Sequence, residues 1–122
     1  MYEVAIRTRF AAAHRLANYG GKCEALHGHT WVVEVGVEGP EIDEVGLLMD
    51  FVALKRLVKD VVEELDHTLL NDHVCFSEQN PSSERVAKFF YDRLKDVLPS
   101  PALRVSFVRV WESEDSAATY RP

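Results

Sequence analysis

Two stretches of alternating apolar residues, two that repeat every three to four, then alternation again: this order restricts the chain more than any other feature. Tyr2, Val4, Ile6, Thr8 and Phe10 alternate with Glu3, Ala5, Arg7 and Arg9, the period of a half-buried strand. Residues 11–29 break that rhythm, contain Gly20-Gly21 and read as a loop. Trp31, Val33, Val35 and Val37 resume it as a second strand, ended by Gly39-Pro40. The two strands are expected to pair antiparallel across the histidine-rich loop. Asp50 then caps a helix whose apolar stripe is Phe51, Leu54, Leu57, Val58, Val61, Val62 and Leu65. Asn80-Pro81-Ser82 opens a second helix with Val86, Phe89, Phe90, Leu94, Val97 and Leu98 inward, and Pro99 and Pro101 stop it.

The next strand has a fault in its pattern. Leu103, Val105 and Phe107 share one parity, while Val108 and Val110 share the other. A β-bulge at this point, or burial of both faces in an assembly, accounts for the switch. Residues 117–121 read as a short last strand. The order is ββααββ, which predicts an α+β fold: a four-stranded antiparallel sheet with both helices on one face. No repeat, low-complexity stretch or linker divides the chain, so residues 1–122 are read as one domain. An open sheet has edges that invite pairing with another copy, so a homo-oligomer is expected.

Length and charge remove several alternatives. With 122 residues the chain is too short for a (β/α)8 barrel, which takes roughly 200 or more. No apolar run approaches the roughly 18–20 residues of a membrane span, and Met1-Tyr2-Glu3 does not begin a signal peptide, so neither a membrane nor export is expected. Two cysteines, Cys23 and Cys75, fit a reducing cytoplasm better than a disulfide scaffold. Fourteen Lys and Arg against 20 Asp and Glu leave a charge of −6, unsuited to wrapping nucleic acid. Residues 1–22 run the other way: Arg7, Arg9, Arg15 and Lys22 oppose Glu3 alone. That cluster is either solvated charge beside a strand or a local site for a phosphorylated small molecule.

Three of the five histidines fall where chemistry is possible: His14 after the first strand, and His27-Gly28-His29 before the second. In extended backbone i and i+2 share a side, so His27 and His29 can aim at one spot, with His14 nearby if the strands pair. Three neutral imidazoles with an open fourth position suit a catalytic zinc ion. Cys23 could close that position, act as a low-pKa thiol, or be a small buried side chain. Asp66-His67 ends the first helix and reads either as a carboxylate–imidazole pair or as C-terminal capping. Adjacent residues rarely bond side chain to side chain, so the dipeptide is not by itself a relay. Glu112 follows Val108 and Val110 in parity toward a partly buried face, or stands exposed. Glu84 is explained by the dipole of the second helix. Gly21, His27, His29 and Glu34 mimic the opening of a cupin motif, but Glu41 stands where its closing glycine belongs, and two helices leave no room for that barrel.

Together these pieces resemble the 6-pyruvoyl-tetrahydropterin synthase and 6-carboxy-tetrahydropterin synthase family. The resemblance rests on residues 10–16 (FAAAHRL), 23–29 (CEALHGH), 49–51 (MDF), 65–71 (LDHTLLN), 80–84 (NPSSE) and 110–112 (VWE), in order along nearly the whole chain. It implies a tunnel-type fold whose ββααββ units assemble into an oligomeric barrel, as trimers or stacked hexamers with sites between chains. It further implies that His14, His27 and His29 bind Zn2+ and that Cys23, Asp66 and His67 move protons, the last two supplied by a different subunit. Glu112 would anchor the pterin, with Glu84 and Ser82 helping to hold the ring. The implied substrate is 7,8-dihydroneopterin triphosphate, converted to 6-carboxy-5,6,7,8-tetrahydropterin, acetaldehyde and triphosphate for 7-deazaguanine and queuosine synthesis, without nicotinamide or flavin. Alternatives are 6-pyruvoyl-tetrahydropterin formation and a non-catalytic zinc or pterin module, although such a module would be expected to lack the base. Two departures matter. Pro81-Ser82 replaces the family's Pro-Thr and keeps the hydroxyl. Glu24 occupies the spacing of a branch that makes 6-hydroxymethyl-7,8-dihydropterin, so this chain carries both that glutamate and Cys23.

Overall fold

A computed structural model describes residues 1–18, 20–21 and 25–122. The first strand, β1 (Tyr2–His14), pairs antiparallel with β2 (His27–Gly39) from Tyr2 opposite Gly39 to His14 opposite His27. The connecting loop is therefore shorter than residues 11–29. Ala11–Ala13 are too small to register as alternation, yet the even side of β1 stays inward through Phe10, Ala12 and His14, all buried. Two helices follow: α1 (Phe51–Leu65) and α2 (Ser83–Leu94). Between them lie a two-residue strand, β3 (Thr68–Leu69), and two short 310 turns. The chain ends with β4 (Arg104–Ser113) and β5 (Ser116–Tyr120).

The sheet has five strands in the order β3-β1-β2-β4-β5 and is mixed, which corrects the expected four-stranded antiparallel sheet. The added strand, β3, runs parallel to β1 opposite Ala12 and Ala13. Two residues carry no readable period. Hydrogen bonds make the strand: the His67 N–H donates to the Ala11 carbonyl, and the Ala11 N–H donates to the Asp66 carboxylate.

Asp50 caps α1 by accepting the Val52 N–H at 2.8 Å, and Ser82 caps α2 through the Arg85 N–H at 3.3 Å. Leu54, Val58, Val61, Val62 and Leu65 of α1 are buried, as are Val86, Phe89, Phe90 and Leu94 of α2. All belong to one core with Ile6, Phe10, Trp31, Val33, Val35 and Val37, so both helices cover the same face of the sheet. Phe51 departs from the expected stripe and is 53% exposed, and α2 ends before Val97 and Leu98. No helix among the described residues is long and apolar enough to cross a membrane.

The parity fault in β4 is a bulge. Phe107 faces Gly36 and Val105 faces Val37, leaving Ser106 as the extra residue. Phe107 thereby turns to the helix-free face, where its ring lies over Gly36 beneath the guanidinium groups of Arg109 and Arg121. Val108 and Val110 return to the core. Downstream, the bulge puts every even residue of β4 inward, Glu112 among them.

Candidate active site

The β1–β2 ladder carries three histidines to one end of the core. His14 and His27 are directly paired, His29 lies opposite Ala12, and all three continue the inward sides that carry Phe10 and Trp31. Their ring centroids are 4.6–5.1 Å apart, and one nitrogen from each lies within 4.8 Å of the others. Trp31 forms the floor. Its ring meets those of His14 and His29 edge to face at 5.0 and 5.3 Å and stacks on Phe10 at 6.0 Å, and its Nε1 donates to the Ala12 carbonyl.

Hydrogen bonds set the tautomers. His14 Nδ1 donates to the Pro81 carbonyl at 2.8 Å, and His27 Nδ1 donates to the Ala25 carbonyl at 2.7 Å. Because a carbonyl only accepts, each Nδ1 carries a proton, which in the neutral ring leaves Nε2 with the lone pair. The Nε2 atoms of His14 and His29 are buried without a hydrogen-bond partner. An unsatisfied buried group costs roughly 1–3 kcal/mol, so two side by side point to a ligand. Burial pushes both imidazoles below their ordinary pKa, while the Glu112 charge, and for His14 the Pro81 carbonyl, pull partly back. Neutral imidazoles anchored through Nδ1 are the form that binds a transition metal. These three histidines fit a zinc ion.

Glu112 completes this side of the cluster. Its Oε1 lies 3.4 Å from His14 Nε2 and 3.9 Å from His29 Nε2. It also borders a cleft of about 600 Å³ lined by Leu16, Ser82, Ser83, Glu84 and Arg85. The cleft therefore brings Ser82, Glu84 and Glu112 together, and Glu112 links it to the imidazoles. A larger hollow of 670 Å³ lies over the helix-free face with Arg7, Arg9, Val32 and Trp111, and Glu112 borders it as well. Arg7 there is ion-paired with Glu34 at 3.3 Å.

Asp66 and His67 lie outside the cluster of three histidines. His67 adopts φ +58°, a left-handed conformation that strains a non-glycine residue. The turn brings its Nδ1 to 3.0 Å from the Asp66 carboxylate, a contact that adjacent side chains seldom make. The Ala11 N–H, followed by His67, holds the Asp66 carboxyl below its ordinary pKa. The His67 side chain is 81% exposed at the sheet edge, and it borders one hollow together with His29, Ala11, Ala13, Gly28 and Thr30. Cys23 and Glu24 lie outside the described residues.

Three supporting residues have no site role in the sequence reading. Pro81 supplies the carbonyl that orients His14. The Asn71 side chain bonds both the N–H and the carbonyl of Arg15, and Asn80 does the same for Ala17. These two clips fix the chain just after His14. The only signal for them is an asparagine within each of the stretches 65–71 and 80–84.

The family model for 6-pyruvoyl tetrahydropterin synthase matches residues 3–122. A putative 6-carboxy-5,6,7,8-tetrahydropterin synthase of Archaeoglobus fulgidus is 39% identical over 118 residues, 97% of this chain and 94% of that protein. The 6-carboxy-5,6,7,8-tetrahydropterin synthase of Bacillus subtilis is 37% identical, covering 99% and 86%. A dihydroneopterin monophosphate aldolase of Pyrococcus furiosus is 38% identical, covering 93% and 91%. Among solved structures, the Caenorhabditis elegans 6-pyruvoyl tetrahydropterin synthase superposes with a TM-score of 0.87 at 29% identity, covering 99% of this chain and 95% of that one. With its histidine cluster at the end of the β1–β2 ladder and a match along nearly all of its length, this chain belongs to the 6-pyruvoyl tetrahydropterin synthase family.

Proposed function

We propose that this protein is a zinc-dependent 6-carboxy-5,6,7,8-tetrahydropterin synthase acting on 7,8-dihydroneopterin triphosphate in the cytoplasm. The observation that carries the reading is the pair of buried, partnerless Nε2 atoms on His14 and His29, set beside His27 and linked through Glu112 to a cleft that Glu84 also lines. Zn2+ bound there supplies a Lewis acid that acidifies the C–H bonds next to the substrate's side-chain hydroxyls. His14, His27 and His29 hold it. Glu112 accepts hydrogen bonds from the amino-pyrimidine edge of the pterin, while Ser82 and Glu84 border the ring. The Cys23 thiolate takes a proton from carbon. His67, steadied by Asp66, returns one at another carbon, which shifts oxidation from ring to side chain without an external redox cofactor. The exposure of His67 at a sheet edge supports its serving the site of a neighbouring copy. Incubating the purified protein with 7,8-dihydroneopterin triphosphate tests the reading: mass spectrometry is expected to find 6-carboxytetrahydropterin together with acetaldehyde. Absence of both rejects it.

A second reading is favoured by the Pyrococcus aldolase relative and by Glu24. Here Glu24 is the base, the side chain is cut by aldol cleavage, and 6-hydroxymethyl-7,8-dihydropterin is released. Cys23→Ala then leaves turnover intact and Glu24→Ala abolishes it. The carboxy-forming reaction gives the opposite pattern.

A further inference from the structure

The contact between Glu112 and the histidines is anomalous as it stands. In a neutral ring that donates through Nδ1 to Pro81, His14 Nε2 is an acceptor, and a carboxylate oxygen is an acceptor too. They nevertheless approach to 3.4 Å in a site where His14 is fully buried, and no hydrogen bond joins them. Two facing lone pairs repel unless a cation lies between them. The spacing fits that arrangement: two ligands each about 2.0–2.1 Å from a tetrahedral zinc are about 3.4 Å apart. The 3.9 Å separation from His29 is somewhat longer, and no comparable contact ties Glu112 to His27, so the carboxylate approaches from the His14–His29 side.

The backbone at this position is suited to a side chain with two placements. Pairing with β2 ends at Trp111, and the β5 register passes from Trp111 to Ser113, so Glu112 is outside both ladders. Its side chain is 30% exposed, against 0% for His14, and it borders the cleft. It can therefore lean onto the histidine cluster or swing into the cleft beside Ser82 and Glu84.

We infer that Glu112 is the fourth ligand of the metal ion while the cleft is free of substrate, and that an arriving pterin draws the carboxylate off the ion onto the heterocycle. The inference rests on the metal reading proposed above. It makes the open coordination position something the substrate creates, so that the ion meets the side-chain hydroxyls only once the ring is seated.

Cobalt(II), titrated into the full-length metal-free protein, tests this through its visible absorption and its affinity by chelator competition. Glu112→Gln is expected to weaken cobalt binding at least tenfold and to change the absorption bands. Glu114→Gln removes the same charge two residues away and is expected to change neither. Oxidised neopterin added to cobalt-loaded wild type is expected to move the bands as the carboxylate leaves. If Glu112→Gln retains wild-type affinity and bands, Glu112 is not a ligand and the inference falls. Neopterin that binds, seen by its own fluorescence, without moving the bands overturns the exchange. A sulfur-to-cobalt charge-transfer band that disappears in Cys23→Ala gives the fourth position to the thiol and also overturns it. A chain that takes up no cobalt at all removes the metal reading and this inference with it.

Discussion

His14 is anchored at one end of its ring, by the Pro81 carbonyl at Nδ1, and its Nε2 faces the cluster without a hydrogen-bond partner. His14→Ala is expected to lower zinc affinity by more than about 100-fold, beyond the range seen when only an outer partner of a ligand is removed. Chelator competition measures it. The pH dependence follows from burial. His14 and His29 are held below the ordinary histidine value, so between about 6.5 and their lower native values the unfolded chain binds protons that the folded chain refuses. Metal-free protein is therefore expected to be most stable above about pH 6.5 and to lose stability as the pH falls below it. Thermal melts in chelator between pH 7.5 and 5.5 check this, and a flat profile contradicts it. At this scale the spacing His27-Gly28-His29 was readable because i and i+2 share a side of any strand. The Pro81 carbonyl was not, because a backbone oxygen 67 residues away has no side-chain signature.

At the scale of elements, the periodic helices and long strands were legible, and the bulge at Ser106 in β4 was legible as a parity change. What stayed hidden was made by single hydrogen bonds. β3 exists because Asp66 and His67 bind the backbone of Ala11, and β1 runs on to His14 through three alanines that alternate without showing it. The bulge leads to a direct test. A methyl at Gly36 would collide with the Phe107 ring, which is caged by Arg109 and Arg121. Gly36→Ala is expected to cost about 1–3 kcal/mol in urea unfolding, the usual penalty of overpacking. Phe107→Ala in the same background should recover part of that loss by emptying the space, which a pure backbone effect at position 36 would not allow. Removing the Asp50 cap by Asp50→Ala should cost about 1 kcal/mol, since the Val52 N–H loses its acceptor.

For the whole molecule, the decisive feature is an unfinished sheet. β3 covers only Ala12 and Ala13, so the edge of β1 from Tyr2 to Phe10 has no strand beside it among the described residues, and β5 forms the opposite edge. Edges of this kind pair with other strands unless they are protected. Light scattering is expected to give a multiple of the 13.9 kDa chain mass. If Asp66 and His67 serve a neighbour's histidine cluster, two inactive variants should rescue each other. His14→Ala and His67→Ala proteins, unfolded together and refolded as a mixture, are then expected to regain part of the wild-type turnover, because some mixed sites are intact. Mixtures as inactive as their parents would confine each site to a single chain.

The indole beneath the cluster has a further consequence. Trp31 is wholly buried, stacked on Phe10 and in edge contact with two of the histidines. Its emission is thus a built-in gauge of occupancy. Cobalt or copper seated above that ring should quench it by short-range energy transfer, whereas zinc, with a closed d shell, should leave it bright. In a Trp111→Phe background the protein would then report its own loading by fluorescence, with no added dye.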